Sequence, residues 1–178
     1  MSKSTNTLRM EQSLVARAFH TVQSADARRI LLVSAHSGEG KTHFAQCIAR
    51  HASTVTDEPI QVEVFATAPP LAERTHGYVW VDGVSLLEGQ GAAALTPSVR
   101  ASFDGALLVA RGMVTTREQV ANCADELSIR GVRVLGGVWN EFDCPPPAQT
   151  LRMLKAGLWR WPPPFPRRAF TRQTRRSS

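Results

Sequence analysis

Ile30-Leu31-Leu32-Val33-Ser34-Ala35-His36-Ser37-Gly38-Glu39-Gly40-Lys41-Thr42 is the stretch that decides the fold. Ile30 to Val33 is a β-branched and leucine run with no polar alternation, the pattern of a parallel strand buried on both faces. It runs into a turn holding Gly38 and Gly40, and Thr42 to His51 behind it has helical character. A glycine-rich turn between strand and helix lets successive backbone N–H groups point inward, and the helix adds the positive end of its dipole. Ala35, Gly40, Lys41 and Thr42 have the spacing of a phosphate-binding P-loop. Ser37, Gly38, Glu39, Gly40 and His43 would surround the phosphates. Lys41 would reach the β- and γ-phosphates, and the Thr42 hydroxyl would ligate Mg²⁺. The bare pattern arises by chance in roughly one chain in a hundred of this length, so its specificity comes from the strand before it and the helix after it. A turn kept only for structure is the competing reading.

Outward from the loop, strands and helices alternate. Upstream, residues 9–22 read as an amphipathic helix: Met10, Leu14, Ala18 and Val22 recur every four residues, and Val15 and Phe19 widen the stripe. Downstream, strands are expected from Ile60 to Phe65 (ended by Pro69-Pro70), Tyr78 to Val81, Gly105 to Ala110 and Val132 to Val138. Thr115 to Arg130 reads as a helix capped by Thr115 or Thr116, with Glu118 in its first turn and Gly131 closing it. This order predicts an α/β fold of the P-loop NTPase type, a mostly parallel sheet with helices on both faces. Asp82, ending the strand Tyr78–Val81, stands where a Walker B aspartate would hold Mg²⁺; a plain turn residue in Asp82-Gly83 is the alternative.

The 178 residues suffice for one domain. They divide into a lead-in with the amphipathic helix (1–28), a nucleotide-binding domain (29–158) and a Pro/Arg-rich tail (159–178). One more helix is expected from Gln149 to Trp159, followed by a disordered basic segment. No apolar run approaches the roughly 20 residues that span a bilayer, and the polar start has no signal-peptide pattern, which predicts a cytoplasmic location. Cys47, Cys123 and Cys144 have no metal-ligand spacing and read as reduced, mostly buried thiols. The net charge of +6 is uneven: from Arg152 onward there are eight basic residues and no acid, which leaves 13 basic against 15 acidic before it. The basicity therefore belongs to the tail.

Several stretches in one order resemble the bacterial tyrosine autokinases (BY-kinases) of capsular and exopolysaccharide export, relatives of the MinD/ParA ATPases. The likeness covers roughly residues 10–142. Leu32 to Thr42 is similar to the family's GEGK[ST] loop. Asp104-Gly105-Ala106-Leu107-Leu108-Val109, Thr115-Thr116-Arg117-Glu118-Gln119-Val120 and Gly131 to Asn140 are similar to a later strand, helix start and strand. The resemblance implies ATP or ADP with Mg²⁺ as cofactors and Asn140 as a contact to the adenine ring. It also implies partnership with the cytoplasmic part of a membrane polysaccharide copolymerase or export protein, and a possible homo-oligomer. His36 stands at the signature-lysine position of MinD and ParA and reads as incidental rather than catalytic.

The departures from that family matter as much. Its kinases carry a DxDxR motif after the P-loop helix, which supplies a Mg²⁺ ligand and a base. Here Val62-Glu63-Val64-Phe65-Ala66-Thr67-Ala68 holds no aspartate, and the segment from Lys41 to Asp82 is shorter than the family's. Losing a general base typically costs about 10²–10⁴ in rate. Glu39, Glu63, Glu73 and Asp104 are substitutes by position only. The family's tyrosine-rich tail is absent: the one tyrosine is Tyr78, within an expected strand, and the tail offers Thr171, Thr174, Ser177 and Ser178 instead. The oligomerisation pattern ExxRxxR appears as Glu11 to Arg17 with Leu14 at its first arginine. These features lead to a nucleotide-binding protein with degraded catalytic carboxylates, a pseudokinase regulating an export complex. The alternatives are an active ATPase or unconventional kinase, and a scaffold that binds through its basic tail. For the tail, with Trp159, Trp161, Arg167 and Arg168, a solvated segment with Trp159 packed on the body is the plain reading. An anionic membrane surface or membrane partner comes next, ahead of nucleic acid.

Overall fold

The computed structural model describes residues 5–65 and 76–140, with side chains from residue 12 onward. Its elements are α1 (Thr5–Ser24), β1 (Arg29–Ser34), α2 (Lys41–Val55), β2 (Ile60–Val64), β3 (Tyr78–Ser85), α3 (Pro97–Arg100), β4 (Gly105–Arg111), α4 (Arg117–Ile129) and β5 (Val134–Asn140). The strands form one sheet in the order β2-β3-β1-β4-β5, and every pairing is parallel. The expected mostly parallel sheet is thus wholly parallel. Pro69-Pro70, Glu73, Cys144, the helix expected over 149–159 and the tail lie outside the described residues.

β1 divides the core in two. Ile30 and Leu32 face a cluster with Phe19 and Val22 of α1, Ile48 and Ala52 of α2, and Trp80 and Leu107 of the flanking strands. Leu31 and Val33 face a second cluster with Val79, Val81, Leu108, and Cys123 and Leu127 of α4. A strand that buries both faces cannot alternate with polar residues, which accounts for its unbroken apolar run. The buried stripe of α1 is Val15, Ala18, Phe19 and Val22, while Leu14 is half-buried. The two residues expected to widen the stripe therefore form its centre. The Phe19 ring meets Tyr78 edge-on at 5.1 Å between centroids.

One boundary decides between two expected residues, and two depart from the sequence reading. Thr116, rather than Thr115, caps α4: its side chain accepts from the Gln119 N–H while the Gln119 side chain accepts from the Thr116 N–H, a reciprocal capping box. Val132 does not open the last strand. Its N–H bonds to the Leu127 carbonyl and that of Gly131 to Ser128, with Gly131 at φ +68°, which closes α4 in a Schellman turn. β5 consequently starts at Val134. Asp82 does not end β3, which runs on to Ser85. Leu32 pairs with Asp82 and Ser34 with Ser85, so β3 carries one extra residue there, a bulge that re-aims the strand. Gly83 fits it because a Cβ would collide with the Leu32 carbonyl. The one-turn α3, absent from the sequence reading, starts at a Thr96 cap followed by Pro97.

No helix among the described residues is long and apolar enough to cross a membrane. Cys47 is half-buried and Cys123 fully buried. Burial, with Glu39 and Glu126 nearby, pushes the Cys123 thiol up to about 11. At pH 8 about one Cys123 in a thousand is then thiolate, so iodoacetamide followed by peptide mapping should label Cys47 and spare Cys123 until the protein is unfolded. Phe19→Ala should lower unfolding free energy by about 3–5 kcal/mol, read as a shift in urea midpoint at constant slope.

Candidate functional site

In a parallel sheet the C-terminal ends of all strands share one edge, and the crevice there is where α/β folds bind ligands. Four strands contribute: the loop 35–40 leaves β1, Asp82 and Ser85 lie on β3, Thr115 follows β4, and Asn140 ends β5. Gly38 and Gly40 hold φ +74° and +96°, a left-handed backbone that glycine adopts without strain. Gly40 is the N-cap of α2 and supplies no side-chain cap, so the first N–H groups of α2 point from the helix start toward the crevice.

Loop residues divide by direction. Glu39 is turned inward, only 1% exposed; its carboxylate accepts from the Ala35 N–H at 3.2 Å and from the Thr115 hydroxyl at 2.7 Å. The Thr115 Oγ1 in turn accepts the Arg111 N–H at 2.9 Å. Glu39 therefore offers a ligand its main chain and not its side chain. From the far side, Asn140 Nδ2 donates to the Glu39 carbonyl at 2.8 Å and presses on Gly40 so closely that a Cβ there would overlap it. In this position Asn140 holds the loop itself.

The outward-facing residues bring the metal and phosphate groups together. Thr42 Oγ1 donates to Asp82 Oδ2 at 2.5 Å, so the expected pair of Mg²⁺ ligands converges. Among the described residues no three His, Cys, Asp or Glu side chains gather as a metal cage; a Mg²⁺ at these two oxygens would complete its octahedron with phosphate and water. Lys41 Nζ donates to Ser34 Oγ at 2.6 Å and to Ser85 Oγ at 3.2 Å. Burial lowers its pKa, against the opposing charges of Asp82, Glu39 and Glu88, so a phosphate beside it would favour the charged ammonium. His43, exposed on the first turn of α2, lies 3.5 Å from the Cys47 sulfur.

No protein-family profile matches the sequence, and none of the curated proteins does. Solved structures do match the fold. The BceF tyrosine kinase domain superposes with a TM-score of 0.57 at 15% identity, over 73% of this chain and 75% of that one. The kinase domain of the Escherichia coli tyrosine kinase ETK gives 0.51 at 16% identity, over 64% and 67%. The chain has the fold of the bacterial tyrosine-kinase domain.

Within this kinase-domain fold, three of the four carboxylates suggested as substitutes for the missing DxDxR aspartates are committed elsewhere. Glu63 pairs with Arg29 at 2.7 Å. Asp104 accepts the Arg28 and Arg29 N–H groups at 2.7 and 2.8 Å, at the opposite end of β1 from the loop. Glu39 is pinned as described, and Glu73 lies outside the described residues. A further carboxylate reaches the loop beside Asp82: Glu88, which spacing did not single out. It accepts the Ser37 N–H at 2.8 Å and the Ser37 hydroxyl at 2.5 Å. His36 Nδ1 stands 3.2 Å from its other oxygen. His36 is thus a structural bridge: its Nε2 lies 2.8 Å from Gln119 Nε2. Since the Gln119 oxygen already accepts the Thr116 N–H, the amide nitrogen donates, which leaves Nδ1 as the protonated nitrogen facing Glu88.

Thr115→Val removes both the donor to Glu39 and the acceptor of the Arg111 N–H at nearly constant volume. It should destabilise the fold by about 1–3 kcal/mol, measured by chemical denaturation, while the conservative Thr115→Ser retains most of the stability.

Proposed function

We infer that this chain binds ATP or ADP with Mg²⁺ at the loop 37–43 and turns it over slowly or not at all. Its role is that of a BY-kinase-like regulatory partner of the cytoplasmic part of a membrane polysaccharide copolymerase or export protein. The observation that carries the nucleotide reading is the convergence of Lys41, Thr42 and Asp82 beside a loop whose two glycines adopt left-handed backbone. Gly38, Gly40 and Lys41 would hold the phosphates, Thr42 and Asp82 the metal, and Asn140 the base side of the site. Slow turnover is supported by β2, which ends at Val64 followed by Phe65 where the kinases carry paired aspartates. Bound Mg²⁺ would neutralise phosphate charge, and the chain's own groups would position the phosphates. The export-complex role rests on the family likeness, and the basic tail 159–178 is the segment proposed to touch the partner or an anionic membrane face.

Equilibrium binding of a fluorescent ATP analogue with Mg²⁺ tests the site. Lys41→Ala should weaken binding on the order of 10- to 100-fold with the fold intact by circular dichroism. Affinity unchanged by that substitution would sink the assignment, and steady ATP turnover abolished by Asp82→Ala would replace the pseudokinase reading with an enzyme.

A further inference from the structure

The contact between Glu88 and Ser37 is built by the sheet. Beyond the β3 bulge the chain stays zipped to β1: the Leu86 N–H bonds to the Ser34 carbonyl at 2.8 Å and that of Leu87 to Ala35 at 3.0 Å. This extension carries the next residue, Glu88, alongside the first turn of the phosphate loop, where it takes both Ser37 donors. His36, held from behind by Gln119, adds a third contact. A carboxylate there presents to an anion cradle what a phosphate would present: two oxygens and a negative charge.

Its place along the cradle can be read from Lys41. A P-loop lysine reaches the β- and γ-phosphates, and here its ammonium lies at the β1–β3 side, bonded to Ser34 and Ser85. Glu88 lies on that same side, carried there by the pairing of Leu86 and Leu87 with Ser34 and Ala35. The Ser37 hydroxyl, then its N–H, hold the Glu88 carboxyl below the usual carboxylate range. A carboxylate so held is ionised at neutral pH and is a weaker base than a free one. It is poorly suited to take a proton from water and well suited to repel a third phosphate.

Building on the nucleotide-binding reading, we propose that Glu88 is a specificity residue that makes the loop select a nucleoside diphosphate over the triphosphate, its carboxylate standing where the terminal phosphate would bind. A diphosphate fills the centre of the cradle and leaves the Glu88–Ser37 contact in place. A triphosphate must displace the carboxylate or sit against it.

Calorimetric titration of the full chain with ADP and with a non-hydrolysable ATP analogue, both with Mg²⁺, tests this. Wild type should prefer ADP on the order of tenfold, about the size of one charge contact screened by water. Glu88→Gln, which keeps the shape and removes the charge, should bring the two affinities within about twofold by strengthening the triphosphate alone. Both nucleotides binding with a ratio that Glu88→Gln leaves unmoved would overturn the specificity role and leave the nucleotide site standing. Neither nucleotide binding to wild type nor to Glu88→Gln would sink the site and this role together. Triphosphate binding that appears only in Glu88→Gln would support the role in its strongest form.

Discussion

β1 has neither a free edge nor a free face. β3 pairs along one side and β4 along the other, and Ile30 to Ala35 are all buried. A slip of one residue would exchange the side chains of its two clusters, setting Ile30 and Leu32 into the space shaped for Leu31 and Val33. The strand is thereby locked in register, and the loop that leaves its end has a determined origin before any ligand is considered. Everything at the crevice is measured from that origin: Asp82 by its pairing with Leu32, Lys41 by its reach back to Ser34, Glu88 by the continued pairing past Ser85.

From that origin the loop is shaped by an inside and an outside. The inward anchor is ionic in kind, a carboxylate satisfied by one N–H and one hydroxyl. Burying such a group is tolerable only because its partners are in place, which makes Glu39 a demanding tie between the loop and the start of α4. The outward residues have no such obligation, and it is there that hydroxyls, the ammonium and the Asp82 carboxylate collect. A glutamate inside a phosphate loop thus serves the loop's architecture, and the reactive face is left to its neighbours.

The architecture was legible because each strand beside β1 is buried on both faces and reads as an uninterrupted apolar run. The loop was legible because the spacing from Gly38 to Thr42 encodes its own backbone geometry. What escaped notice depended on partners distant in sequence. The extension of β3 past Asp82 is decided by pairing with Ser34, and nothing within Asp82-Gly83 separates a bulge from a turn. Glu88 reaches Ser37 only through that extension, so its role was invisible to spacing; the apolar Val84, Leu86 and Leu87 after Asp82 were the signal that the strand ran on. The Schellman turn at Gly131-Val132 displaced the start of β5 because a valine packs equally well behind a helix end as inside a strand. The Thr96-Pro97 pair was a helix start that could have been read.

The seat of Asn140 against Gly40 bears on the order in which this protein is made. The loop emerges from the ribosome about a hundred residues before the side chain that clamps it, since Asn140 closes on the Glu39 carbonyl from the last strand of the sheet. Until β5 has been synthesised and paired with β4, the loop lacks its outer support. Contacts this far apart in sequence form late in folding. A nascent chain that stalls before residue 140 would own every residue of the phosphate motif and not yet the clamp, so competence to hold a ligand arrives with the final strand.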